Sequence, residues 1–90
     1  MRESKIERYL IEQVKQRGGL CRKFKSPARR NVPDQLVFLL TGLLILVECK
    51  APGEKPKRAQ LREHARYRAR GFRVEVADTI EAVDRLLSAF

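Results

Sequence analysis

Residues 31 to 53 read NVPDQLVFLLTGLLILVECKAPG. From Leu36 to Val47 every residue is apolar except Thr41 and Gly42. These twelve residues are too few for a membrane helix, which needs about 20. Thr41-Gly42 divides the run into two strands, Gln35 to Leu40 and Leu43 to Cys49, closed as a hairpin. Neither strand alternates apolar with polar residues, so helices are expected over both faces. The chain must therefore be built around this hairpin. Its margins are charged: Asp34 follows Pro33 at the start, and Glu48 and Lys50 flank Cys49 at the finish.

Folding at the turn brings Asp34 and Glu48 to the same end of the strand pair. Glu48 and Lys50 are two residues apart and project to one face, with Cys49 pointing away. Upstream, Ile6, Leu10, Ile11 and Val14 define the buried stripe of a helix from about Glu3 to Arg17, ended by Gly18-Gly19. Glu7 lies within that stripe, where a carboxylate is costly unless it is paired. It is expected to approach the same end of the hairpin. Leu20 to Lys25 reads as a strand and Lys57 to Arg70 as a second helix, with Pro56 before it and Gly71 after it. Phe72, Val74 and Val76 alternate with Arg73 and Glu75 as a further strand. Asp78-Thr79-Ile80-Glu81 opens a last helix as a capping box, and Ile80, Val83, Leu87 and Phe90 form its apolar face.

The order is α-β-β-β-α-β-α in one domain, residues 1–90. The helix between the third and fourth strands makes that pair a parallel, right-handed crossover. The fold class is α/β, a mixed β-sheet flanked by helices.

Three carboxylates and a lysine converging on one site carry a chemical implication. Clustered carboxylates raise one another's pKa unless a cation lies between them. Oxygen-only ligands suit Mg²⁺ or Mn²⁺. A cation held by Asp34 and Glu48 would polarise a phosphate and activate water, and Lys50 would orient that water or stabilise developing charge. The pattern suits hydrolysis of a phosphodiester. The plainer reading, a charged strand end, fits a lone Glu-Xaa-Lys better than it fits this combination.

The residues PD, thirteen positions, then ECK resemble the signature of the PD-(D/E)XK nucleases, whose restriction-endonuclease-like core has this element order. SPARRNVPDQLVF, VECKAPG and the following AQ resemble the VRR-NUC family within that superfamily, in its stand-alone phage and bacterial form. The resemblance implies that Asp34 and Glu48 bind metal with the backbone carbonyl of Cys49. It makes Lys50 the catalytic lysine and Glu7 an additional acid, able to act through water. Gln60 would line the site, and Arg29 and Arg30 would lie within reach of phosphate. It further implies a metal-dependent endonuclease for structured DNA such as Holliday junctions, acting as a homodimer with Mg²⁺ or Mn²⁺, while fused members of the family serve in DNA repair. Asn31 stands where the family pattern has Gly; Asn best tolerates the left-handed backbone required there.

The charge balance agrees with such a partner. Twenty Lys and Arg face eleven Asp and Glu, giving +9, and thirteen of the twenty are Arg. That excess favours a polyanion. Arg29, Arg30 and Lys55 are the expected phosphate contacts, although charge runs are commonly solvated faces. Recognition is expected through backbone and shape. Cys21 and Cys49 read as reduced core residues, Tyr9 and Tyr67 as packing residues, and His64 as a surface or half-buried residue. The charged N-terminus carries no signal peptide, so a cytoplasmic location in a bacterial or phage-infected cell is expected, without secretion or membrane association. Two alternatives remain open: a nuclease for flap, nicked or single-stranded DNA, and a non-cleaving basic module that binds nucleic acid.

Overall fold

A computed structural model describes residues 2–90. Its elements are α1 (Glu3–Gln16), β1 (Leu20–Lys23), β2 (Gln35–Phe38), β3 (Leu44–Cys49), α2 (Arg58–Ala69), β4 (Arg73–Ala77) and α3 (Ile80–Leu86). The expected order is present. The four strands form one sheet in the order β1-β2-β3-β4. The first two pairings are antiparallel, and β3 pairs with β4 in parallel.

Ile6, Leu10 and Val14 of α1 are fully buried. They close over Val37, Leu39, Ile45, Val47 and Cys49, and α3 adds Val83, Leu86 and Leu87 to this cluster. Each buried aliphatic side chain of this size contributes about 1.5–3 kcal/mol. The alternation predicted for the fourth strand follows from its register. Val74 lies beside Leu46 and Val76 beside Glu48, so these residues share the face opposite α1. There α2 packs against β4, and Arg68 Nη2 donates to the Val74 carbonyl at 2.7 Å.

Several boundaries are shorter than the sequence predicts. β1 ends at Lys23, opposite Gln35 at the start of β2, and β2 ends at Phe38 because Leu39 to Leu43 form the turn. The Leu39 N–H donates to the Leu43 carbonyl at 3.0 Å, and Gly42 takes φ +84°. The expectation that both faces of the hairpin are covered holds on one side only. α2 leans on β4, so the cross-strand partners Leu20 and Phe38 remain 54% and 42% exposed. The opening of α3 is half a capping box: Thr79 Oγ1 accepts from the Ala82 N–H, but the Ala82 methyl offers no acceptor in return. Asn31 has φ +69°, the left-handed conformation expected of it. Among the described residues no helix is long and apolar enough to cross a membrane.

Candidate active site

Asp34 immediately precedes β2. Gln35 pairs with Val47, so one further step of the ladder sets Asp34 opposite Glu48. Antiparallel partners share a face. The Asp34 main chain is pinned from one side, where its carbonyl accepts from the Phe24 N–H at 2.8 Å. Its side chain is pinned from the other, where Oδ1 accepts from the Cys49 N–H at 3.2 Å. Lys50 is fixed by its own N–H, which donates to the Ala77 carbonyl of β4 at 2.9 Å.

α1 delivers two acids to this sheet end. Carboxylate oxygens of Glu3, Glu7 and Asp34 lie within 4.8 Å of one another. Glu7 therefore approaches as expected, and it also pairs with Lys23 Nζ at 3.3 Å. Glu3 joins the cluster although it lies outside the sequence motifs. The available signal was its spacing, four residues before Glu7, which places both on one helix face.

Electrostatics mark the cluster. Burial pushes the Glu48 carboxyl up to about 7; the Asp34 charge adds to this and Lys50 opposes it. Asp34 is raised as well, first by burial and then by the charges of Glu7 and Glu3, against the pull of the Cys49 N–H. Carboxyls crowded in this way favour protonation or a cation. A hard divalent cation fits an all-oxygen donor set of Glu3, Glu7 and Asp34, with Glu48 alongside.

The remaining candidate residues make contacts of their own. The Gln60 amide oxygen accepts from the Lys57 N–H at 2.8 Å and so caps α2. Arg29 forms a forked pair with Glu63, at 2.9 Å from Nη2 and 3.1 Å from Nε. Lys55 approaches Asp78 at 3.5 Å and is otherwise exposed. Arg30 is exposed on the loop before Asn31. His64 is fully buried, contrary to the surface or half-buried role expected, on the helix that packs against β4. Burial, followed by the Arg68 charge, lowers its pKa.

Glu63 was also missed. It is 5% exposed and receives Arg29, Arg66 at 3.0 Å and the Tyr67 hydroxyl at 2.6 Å. These partners hold its carboxyl down to about 2, Arg29 foremost. The signal for it was a lone acid on a helix otherwise rich in arginine.

Comparison with known proteins places this arrangement. No family model matches the chain. It is 56% identical over 79 residues to "Putative nuclease p44" of Acyrthosiphon pisum secondary endosymbiont phage 1, covering 88% of this chain and 85% of that protein. A solved structure described as a VRR_NUC domain superposes with a TM-score of 0.90 at 38% identity, over 98% of this chain and 96% of the other. With that identity, the matching topology and near-complete coverage of both relatives, the chain belongs to the VRR-NUC family.

Proposed function

We propose that this protein is a metal-dependent DNA endonuclease that cuts branched DNA such as Holliday junctions as a homodimer. The observation carrying the reading is the meeting of Glu3, Glu7 and Asp34 at the sheet end where Glu48 and Lys50 emerge. Asp34, Glu7 and Glu48 would hold Mg²⁺ or Mn²⁺, with the Cys49 backbone carbonyl as a further donor and Glu3 beside them. The ion supplies Lewis acidity to the scissile phosphate and lowers the pKa of water. Glu48 would serve as a carboxylate ligand whose charge the ion offsets. Lys50 orients the attacking water and balances charge developing on phosphate. Asp34, fixed by two main-chain contacts, needs little rearrangement to accept the ion. The 90 residues act as one nuclease domain, and two copies related by a twofold axis set two such sites against two strands. Gln60 acts here through the order it gives the start of α2.

The test is cleavage of labelled four-way junction, flap and linear duplex DNA by wild type and Glu48→Ala, with Mg²⁺, Mn²⁺ or EDTA. Wild type is expected to cut the junction only with metal, and Glu48→Ala to bind it without cutting. Preference for the flap would move the substrate assignment. Binding without cutting under any metal would leave a nucleic-acid-binding module in its place. Light scattering is expected to give twice the chain mass, and the chain mass with and without DNA would overturn the dimer.

A further inference from the structure

Helix α2 carries Arg58, Arg62 and Arg66 at intervals of four, and Arg70 continues the series at its C-cap. All four are exposed. Four residues of α-helix rise about 6 Å, so the guanidinium groups form one stripe along the helix. Like charges at this spacing oppose helix formation, and a solvated face ordinarily interleaves acids to relieve them. Here Glu63 is the only acid in the helix, and it is buried.

Glu63 has another task. It draws Arg29 across from the preceding loop and holds Arg66 in place, so loop and helix share a wall. Two adjoining hollows of about 360 and 320 Å³ open on either side of this junction. Arg29, Arg30, Arg62, Arg66 and Arg70 line them, with Glu63 the sole acid. The start of α2 adds further positive charge through Lys57 and Arg58, with no acid in its first turn. That is the unfavourable sign for a helix N-terminus left to itself.

We infer that the outer face of α2 and the loop 28–31 form a groove that grips the phosphate backbone of duplex DNA, separate from the acidic sheet end. Choosing DNA rests on the nuclease reading above. Arg30, Arg62 and Arg70 contact phosphates, while Glu63 positions Arg29 and Arg66 as the groove's wall. Arg29 is thus chiefly a structural strut. The groove holds an arm of the substrate by its backbone and reads no bases.

The test is the salt dependence of binding to labelled duplex DNA in EDTA, which makes it independent of cleavage. Three proteins are compared: wild type, the triple variant Arg30→Ala/Arg62→Ala/Arg70→Ala, and the charge-matched control Lys5→Ala/Lys15→Ala/Arg85→Ala. Circular dichroism and chemical denaturation establish that each is folded. Each lost phosphate contact lowers the slope of log K against log salt by about 0.9. The groove variant is expected to lose roughly 2.7 of slope, and the control to keep that of wild type. Equal losses in both variants would reduce the groove to diffuse net charge and overturn the inference. An unchanged slope in the groove variant, or no binding by wild type, would overturn it too. Wild type that binds with the groove-dependent slope yet cuts no DNA under any metal would remove the nuclease reading and support the groove.

Discussion

The Cys49 N–H donates to Asp34 Oδ1 at 3.2 Å, tying the carboxylate before β2 to the end of β3. The bond separates two roles of one side chain. Asparagine keeps an oxygen acceptor for Cys49 but loses the charge that a cation requires. Alanine loses both and leaves a buried N–H unpaired, at a cost of about 1–3 kcal/mol. Urea denaturation of metal-free protein is expected to show Asp34→Asn near wild type and Asp34→Ala destabilised by that amount. Mn²⁺ should raise the Tm of wild type by mass action and leave Asp34→Asn unmoved. An equal Mn²⁺-dependent rise in both proteins would remove Asp34 from the metal set.

Glu48 makes stability depend on pH in an uncommon direction. Its pKa is about 7 folded against 4.5 ordinarily, so the folded state binds the proton more tightly. That contribution is fully present below pH 4.5 and is lost as pH rises through about 7. The gap corresponds to about 3 kcal/mol at most. His64 works oppositely: its lowered pKa means that stability is lost as pH falls below its ordinary 6.5. Comparing wild type with Glu48→Gln isolates the first effect. In EDTA the stability of wild type relative to Glu48→Gln should fall between pH 5 and 8, and added Mg²⁺ should flatten the difference. A difference independent of pH in EDTA would show that Glu48 is not held protonated.

Glu63 titrates the other way. Its carboxyl is held near 2, so its contribution is present above pH 4.5 and is lost only as pH falls toward 2. Replacing Tyr67 by Phe removes one hydrogen bond but leaves both arginines. The cost should be about 1 kcal/mol. Glu63→Ala strands Tyr67 and two arginines together and should cost more than Tyr67→Phe at pH 7. Chemical denaturation of both variants checks the order, and a larger cost for Tyr67→Phe would show that the hydroxyl is held by something other than Glu63.

Much of the fold follows from periodicity. The α1 stripe and the apolar hairpin fix which residues face inward, and the long β3–β4 link through α2 fixes the parallel pair. The coverage of the second face was not legible, because it depends on where α2 comes to rest across the sheet. Asp34, Glu48 and Lys50 were legible because their sequence spacing maps directly onto strand register. Glu3 was harder, since its approach depends on the angle at which α1 crosses the sheet end. Arg29 shows the limit most plainly. In sequence it is a free cation in a basic loop, and its partner Glu63 lies 34 residues away on another element.

Asn31 and Gly19 test two ways in which the backbone is constrained, the first beside the site and the second past the far end of α1. Asn31 has φ +69°, three residues before Asp34. Asn31→Gly should be near neutral, since glycine accepts this conformation freely. Asn31→Val should cost about 1–2 kcal/mol, because a β-branched side chain is crowded there. Gly19 has no such conformation and is constrained by space alone. An added Cβ would meet the Phe38 carbonyl oxygen at 2.7 Å and Val14 Cγ1 at 2.9 Å. Because one of those atoms belongs to the main chain of β2, the clash is relieved by shifting the link between α1 and β1 away from the hairpin, which pulls on α1. Gly19→Ala is therefore expected to destabilise by about 1–3 kcal/mol. If α1 shifts, Glu3 and Glu7 shift with it, so Mn²⁺ affinity should weaken in Gly19→Ala and stay at the wild-type value in Asn31→Gly. Denaturation and a Mn²⁺ titration on the same samples check both effects. A Gly19→Ala protein that is destabilised but binds Mn²⁺ as wild type does would show that the α1 acids are dispensable for the ion.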